Sequence, residues 1–138
     1  MSNKAKTYEL SLSHPVFPTP NIQKTAKYYE QILGFKIVNF LDAKEPHTCL
    51  YRDSIEIILT KAHSDRVYPN HELYGYGYDA YFITDNQEKL QEEFSRKGAN
   101  IIKSLFSVDY HQAEFIVEDS DGRWLGFGKK RGKIPTVK

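Results

Sequence analysis

HPVFPTPNIQKTAKYYEQILGF, residues 14–35, joins the end of a strand, a proline-rich turn and a capped amphipathic helix. Upstream of it, Tyr8, Leu10, Leu12, His14 and Val16 alternate with Glu9, Ser11, Ser13 and Pro15. That is the two-residue period of a half-buried strand, placed at Tyr8 to Phe17. Pro15, Pro18 and Pro20 remove backbone donors, so the ladder is expected to break there. Asn21 is suited to cap a helix. Ile22, Ala26, Tyr29 and Leu33 follow at helical spacing as one apolar face, and Gly34 stops the helix where a positive φ is favoured.

Working outward, strands are expected at Phe35 to Leu41, His47 to Arg52 and Ile55 to Thr60, the last two joined by a tight Asp53-Ser54 turn. KAHSDRVYPNHELYGYG, residues 61–77, is polar and broken by Pro69, Gly75 and Gly77, and reads as a linker. The pattern then returns. A strand from Tyr78 to Thr84 turns Tyr78, Ala80 and Phe82 to one side, and Asp85 and Glu88 have capping-box spacing. A helix buries Leu90 and Phe94 and stops at Gly98. Strands follow at Ile101 to Ser107, Gln112 to Glu118 and Arg123 to Gly128, with Asp121-Gly122 turning the last hairpin. The helix from cap to stop glycine spans 13 residues in the first half (Asn21 to Gly34) and 12 in the second (Asn86 to Gly98). A tandem duplication accounts for this. The expected class is α+β in one domain, residues 1–138. Two βαβββ modules, 8–60 and 78–128, are joined by the 61–77 linker and followed by a basic tail at 129–138. Each module has one apolar sheet face, and together they form a curved mixed sheet around a cleft.

Composition narrows the function. The chain has 138 residues, enough to bury a core without disulfides. Cys49 is the single cysteine, which excludes an internal disulfide and a CxxC site. The net charge of +1 gives no footprint for nucleic acid. Lys129, Lys130, Arg131, Lys133 and Lys138 concentrate in the tail, leaving 14 basic against 18 acidic side chains in the rest. No apolar run approaches a membrane span, and the first residues lack the apolar core of a secretory signal. A cytoplasmic protein with no membrane partner is expected.

The opening stretch, with Asn21-Ile22 and then Tyr28-Tyr29-Glu30-Gln31-Ile32-Leu33-Gly34-Phe35, resembles the signature of the vicinal oxygen chelate superfamily, the glyoxalase/bleomycin resistance/dihydroxybiphenyl dioxygenase fold. YRDSIEIILTKA (51–62) is similar to its middle hairpin, and YHQAEFIVEDSDGRWLGFG (110–128) to its closing motif. The resemblance covers about Tyr8 to Gly128. It implies a homodimer and a four-position pattern of metal ligands. These positions fall on His14, Glu56, Tyr78 and Gly126, so two carry ligand types and two do not. A catalytic divalent ion usually needs three protein ligands. No cofactor is therefore expected, with His14 and Glu56 as the candidate ligands if a divalent metal does bind. The wording PVFP…NI and FGK is closest to the bleomycin-resistance branch, which resembles a metal-free binder. That branch's R-E-F is Ala113-Glu114-Phe115 here, so its arginine is missing.

The expectation is a protein that binds a small organic molecule, of the kind an antibiotic represents, in a tyrosine-lined cleft. His14, Glu56, Tyr78, Tyr110 and Trp124 are the candidate ligand-binding residues; aromatic faces suit a flat or cationic ligand. The alternative is a metal-dependent lyase or dioxygenase, with Glu56 and Glu114 as candidate acid–base residues. Cys49 and His47 share a strand face and are weighed as a nucleophile pair; His63 and His71 read as exposed linker residues. Gly75-Tyr76-Gly77-Tyr78-Asp79-Ala80 matches a dinucleotide fingerprint in letters only, because it precedes a strand and opens no helix.

Overall fold

The computed structural model describes residues 7–105 and 114–129. In chain order the elements are β1 (Val16–Thr19), α1 (Ile22–Gln31), β2 (Lys36–Phe40), β3 (His47–Arg52), β4 (Ile55–Lys61), α2 (Asn70–Tyr74), β5 (Ala80–Thr84), α3 (Gln87–Arg96), β6 (Asn100–Lys103), β7 (Glu114–Glu118) and β8 (Trp124–Lys129). The strands form two four-stranded mixed sheets of the same order, β1-β4-β3-β2 and β5-β8-β7-β6. In each, the first strand runs parallel to the last and the other pairs are antiparallel. The architecture is α+β, with the duplicated connectivity read from the sequence.

Several local expectations hold for the stated reasons. The Asn21 side chain accepts from the Lys24 N–H at 3.0 Å, capping α1. Ile22, Ala26, Tyr29 and Leu33 are buried, and Gly34 and Gly98 adopt φ of +78° and +90° at the two helix stops.

Four expectations need correction. The first strand starts at Val16, not Tyr8. Tyr8, Leu10 and Leu12 are 78%, 99% and 76% exposed, and among the described residues no strand pairs with them. Pro18 does not break the ladder but lies within β1, paired with Thr60. β1 is an edge strand, where a missing N–H costs no ladder bond. The second helix is capped by Asn86, which accepts from Lys89 N–H at 3.0 Å, in place of an Asp85–Glu88 box. The linker contains α2, opened by Pro69 and closed by Gly75 at φ +86°. The ends of the strands expected at Ile101 to Ser107 and Gln112 to Glu118 lie partly outside the described residues, as does the tail beyond Lys129.

Each helix covers its own sheet, α1 on β2, β3 and β4, and α3 on β7 and β8. The buried side chains form one cluster, with Tyr29, Leu33, Leu50, Ile57 and Leu59 from the first half and Phe82, Phe94, Phe115, Val117, Leu125 and Phe127 from the second. Burying each such side chain contributes about 1.5–3 kcal/mol.

Two seams join the halves, each a helix and edge strand of one half against the last hairpin of the other. At the first, the Arg123 guanidinium pairs with Asp119 and Asp121, both at 3.1 Å. It also donates to the Pro18 carbonyl and stacks over Phe17, 4.5 Å from the ring centre. The Tyr29 hydroxyl donates to Asp119 at 2.5 Å, and Thr25 donates to Asp121 at 2.7 Å. Backbone N–H groups of Asp121 and Arg123 complete the Asp119 carboxylate at 2.8 and 3.0 Å. Burial pushes the Asp119 carboxyl up, opposed first by the Arg123 charge. At the second seam, Arg52 binds Glu93 through two bonds of 2.8 and 2.9 Å. It donates to the Leu33 carbonyl at 2.7 Å and lies over Phe94. Arg52 holds the Glu93 carboxyl below its ordinary range.

Candidate functional site

Strand parity decides which side chains reach the open faces. In β4, Ile57 and Leu59 are buried under α1, so Glu56 and Ile58 point the other way. Val16 pairs with Ile58, and two residues earlier on each strand His14 meets Glu56, Nε2 to Oε1 at 3.1 Å. From β3, Tyr51 donates to the other Glu56 oxygen at 3.0 Å, and buried Cys49 lies alongside. The arrangement sets an imidazole, a carboxylate and a phenol side by side on the open face.

The bond to Glu56 pushes the Tyr51 phenol up to about 12. Because the folded value is raised, whatever the bond contributes to stability is present below pH ~10 and lost as pH rises through the folded value. Glu56→Gln is expected to return Tyr51 toward pH ~10, measured as the alkaline titration of its ring carbons by NMR. An unchanged midpoint would show that the carboxylate does not hold the phenol. Burial pushes the Cys49 thiol up as well, which opposes a thiolate nucleophile. His47 stacks on Phe40 at 5.0 Å and bonds the Glu45 carbonyl at 2.9 Å. No hydrogen bond among the described residues joins it to Cys49.

The second sheet carries the other cluster. Tyr78 and Tyr81 both donate to Glu114, the latter at 3.0 Å, with ring centres 5.5 Å apart. Tyr81 lies flat along β8. A Cβ on Gly126 would stand 2.6 Å from its Cδ2, and one on Gly128 would stand 2.0 Å from its hydroxyl. The two glycines are the seat of the ring. Tyr81 was missed from sequence, and the signal was there: glycines two apart on one strand face, with Gly126 in register with Tyr81.

Trp124 is placed differently from expectation. Its indole stacks on His71 from α2 at 3.9 Å and its N–H binds Glu118 at 3.2 Å. His71 is in turn anchored to the Gly122 carbonyl at 2.8 Å, so it is a packed residue and not a free linker histidine. Tyr110 lies outside the described residues. His14 and Glu56 are brought together, as are Tyr78 and Glu114.

The four-position metal pattern can be tested on these residues. With Asn86 as the cap, the position seven residues earlier is Asp79, not Tyr78. Its N–H bonds Trp124 and its Oδ1 accepts from Asn70. Trp124 therefore stands across from Asp79 as Glu56 does from His14, and the room at Gly126 is filled by the Tyr81 ring. Among the described residues no three His, Cys, Asp or Glu side chains converge as a ligand set. The described residues do not fit a three-ligand ion.

A family model described as glyoxalase/bleomycin resistance protein/dioxygenase superfamily matches residues 11–127. Among solved structures, the chain is similar to a glyoxalase-related enzyme from Clostridium phytofermentans at 18% identity and a TM-score of 0.67, covering 91% of this chain and 99% of that one. It is similar to UcmS2 at 16% identity and a TM-score of 0.65, covering 88% and 98%. It is also similar to the bleomycin-binding protein of bleomycin-producing Streptomyces verticillus, solved with copper(II)-bleomycin, at 14% identity and a TM-score of 0.63, covering 91% and 100%. At these identities the likeness is one of fold. No curated protein matches the chain. No helix among the described residues is long and apolar enough to cross a membrane.

Proposed function

Because the chain belongs to the glyoxalase/bleomycin resistance protein/dioxygenase superfamily, we propose that it binds a small organic molecule on the tyrosine-bearing open face of the second sheet, without completing a metal site. The observation that carries this reading is the Tyr78–Glu114–Tyr81 cluster lying over Gly126 and Gly128. Where the family pattern calls for a ligating carboxylate, this chain presents a phenol ring. Two aromatic faces backed by a carboxylate suit a flat ligand that carries a donor or positive charge. The bleomycin-binding protein shares the fold and lends the antibiotic-like ligand class its support. In this reading the protein is a cytoplasmic homodimer, in which a second copy brings a further sheet to the cleft.

The test is a pair of titrations on chelator-stripped, untagged protein. Divalent ions are expected to bind weakly by calorimetry. Small aromatic cations are expected to raise the melting temperature, and Tyr78→Ala should weaken their binding about tenfold, the scale of a lost aromatic contact. The second reading, a metal-dependent lyase or dioxygenase, is favoured by the His14–Glu56 contact of 3.1 Å. One tightly bound ion per chain, lost in both His14→Ala and Glu56→Ala, would install it in place of the first.

A further inference from the structure

The duplication makes the two seams comparable residue by residue. The buried pair Leu50↔Ile57 of the first sheet corresponds to Val117↔Leu125 of the second. Counting back from Ile57 and Leu125, Ile55 stands where Arg123 stands and Asp53 where Asp121 stands; counting forward from Leu50 and Val117, Arg52 stands where Asp119 stands, because the second hairpin is one residue longer. On the edge strands, Phe17 pairs with Leu59 as Phe82 pairs with Phe127. Phe82 is therefore the counterpart of Phe17, and Ile83 of Pro18.

At the first seam these positions form a closed cage: the Arg123 guanidinium stacks on Phe17, donates to the Pro18 carbonyl and pairs with Asp119 and Asp121, both at 3.1 Å. At the second seam the Phe82 ring, the Ile83 edge and the Asp53 carboxylate are present, and Arg52 takes the place of Asp119. Ile55 supplies no guanidinium, and a cavity of about 580 Å³ opens there, lined by Asp53, Ile55, Phe82, Ile83 and Asp85 among others. Its walls carry three carboxylates, Asp53, Asp85 and Glu93, against two cations, Arg52 and Lys89. Arg52 and Glu93 match each other through their paired bonds, and Arg52 Nε also stands 3.7 Å from the Asp53 carboxylate, which leaves Asp53 and Asp85 against Lys89 and the remainder of the Arg52 charge.

We propose that this cavity, between β5 and the β3–β4 hairpin, is a second binding site, and that it takes a flat cation of the guanidinium or amidinium class. The bound group stacks on Phe82, donates to the Ile83 carbonyl and faces Asp53, reproducing from outside what Arg123 does from within the chain. The site is separate from the Tyr78–Glu114–Tyr81 face and does not depend on the reading of that face.

The experiment titrates benzamidinium into the full chain and follows backbone amides by NMR, with benzyl alcohol and benzoate as neutral and anionic controls. Benzamidinium is expected to move the amides of Asp53, Ile55, Ile83 and Thr84 and to bind more tightly than either control. Asp53→Asn should weaken it about fivefold, the scale of a partly exposed ion pair. Ile55→Arg, which supplies the guanidinium internally, should abolish the response. Asp53 is 88% exposed at its side chain and sits at φ +50°, a region asparagine tolerates. Asp53→Asn therefore decides the matter even if Ile55→Arg does not fold. Shifts confined to other residues, equal binding of benzyl alcohol, tighter binding of benzoate, or an affinity unchanged in Asp53→Asn would each overturn the proposal.

Discussion

Arg123→Ala is expected to destabilise the protein by about 3–5 kcal/mol, the cost of leaving a buried charge without its partner. The side chains of Arg123 and Asp119 are 2% and 0% exposed, so water cannot replace what is lost. The Tyr29 hydroxyl and two backbone N–H groups remain on Asp119, but the Coulombic partner is gone. By contrast, the side chains of Arg52 and Glu93 are each 24% exposed, and Arg52→Ala is expected to cost about 1–2 kcal/mol once solvent screening is allowed for. Urea denaturation of the two variants checks the ranking, and equal losses would remove the first seam from its privileged place. The pH dependence follows from the direction of the Asp119 shift. Its folded carboxyl is raised, so the folded state holds the proton more tightly than the unfolded one. Its unfavourable contribution is absent at pH values where both states are protonated, below about 3.9. It grows as pH rises through the folded value. Removing Arg123 raises that value further, so the loss in Arg123→Ala should be smaller at low pH and larger near neutrality.

Gly34→Ala is expected to cost about 2–4 kcal/mol, and Gly98→Ala only about 1–2 kcal/mol. Both glycines end a helix with positive φ, at +78° and +90°, so both variants carry the same backbone strain. They differ in surroundings. A Cβ on Gly34 would stand 2.9 Å from Arg52 Nη1, whereas one on Gly98 meets nothing within 4 Å. The excess at Gly34 is the cost of moving Arg52 off the Leu33 carbonyl and Glu93. Thermal melts of both variants measure it, and identical melting temperatures would mean that Arg52 yields freely.

What the sequence disclosed and what it hid divide along physical lines. Local signals were legible. The Asn21 cap, the Ile22-Ala26-Tyr29-Leu33 face, the glycine stops and the hairpin at Asp53-Ser54 all depend on neighbours a few residues away. β3 at His47–Arg52 follows the expected bounds. Tyr8, Leu10 and Leu12 misled because period-two alternation reports a capacity to pair, and nothing in those residues says whether a partner strand is present. The Asp85–Glu88 box misled because two adjacent residues, Asp85 and Asn86, both have capping side chains. Choosing the earlier one moved the expected third ligand position from Asp79 to Tyr78. The roles of Asp119, Asp121 and Arg123 around the last hairpin turn were hidden, since their partners Tyr29, Thr25 and Pro18 lie about a hundred residues away in sequence. At the candidate site, the pairings of His14 with Glu56 and of Tyr78 with Glu114 join residues named beforehand. The Tyr81 ring over its glycines and the His71–Trp124 stack depend on sheet register and on a short helix that periodicity does not reveal.

The seams have a consequence for how the molecule comes apart. The repeat visible in the sequence invites the picture of two small bodies on a string, each melting at its own temperature. Yet α1 is anchored to the Asp119–Arg123 turn and α3 to Arg52, so neither helix can loosen without uncovering charges in the opposite half. The unit of inheritance is therefore half the chain, while the unit of cooperative unfolding spans both halves. A mutation that frees one sheet is felt across the whole molecule, and neither half is suited to be a self-sufficient building block.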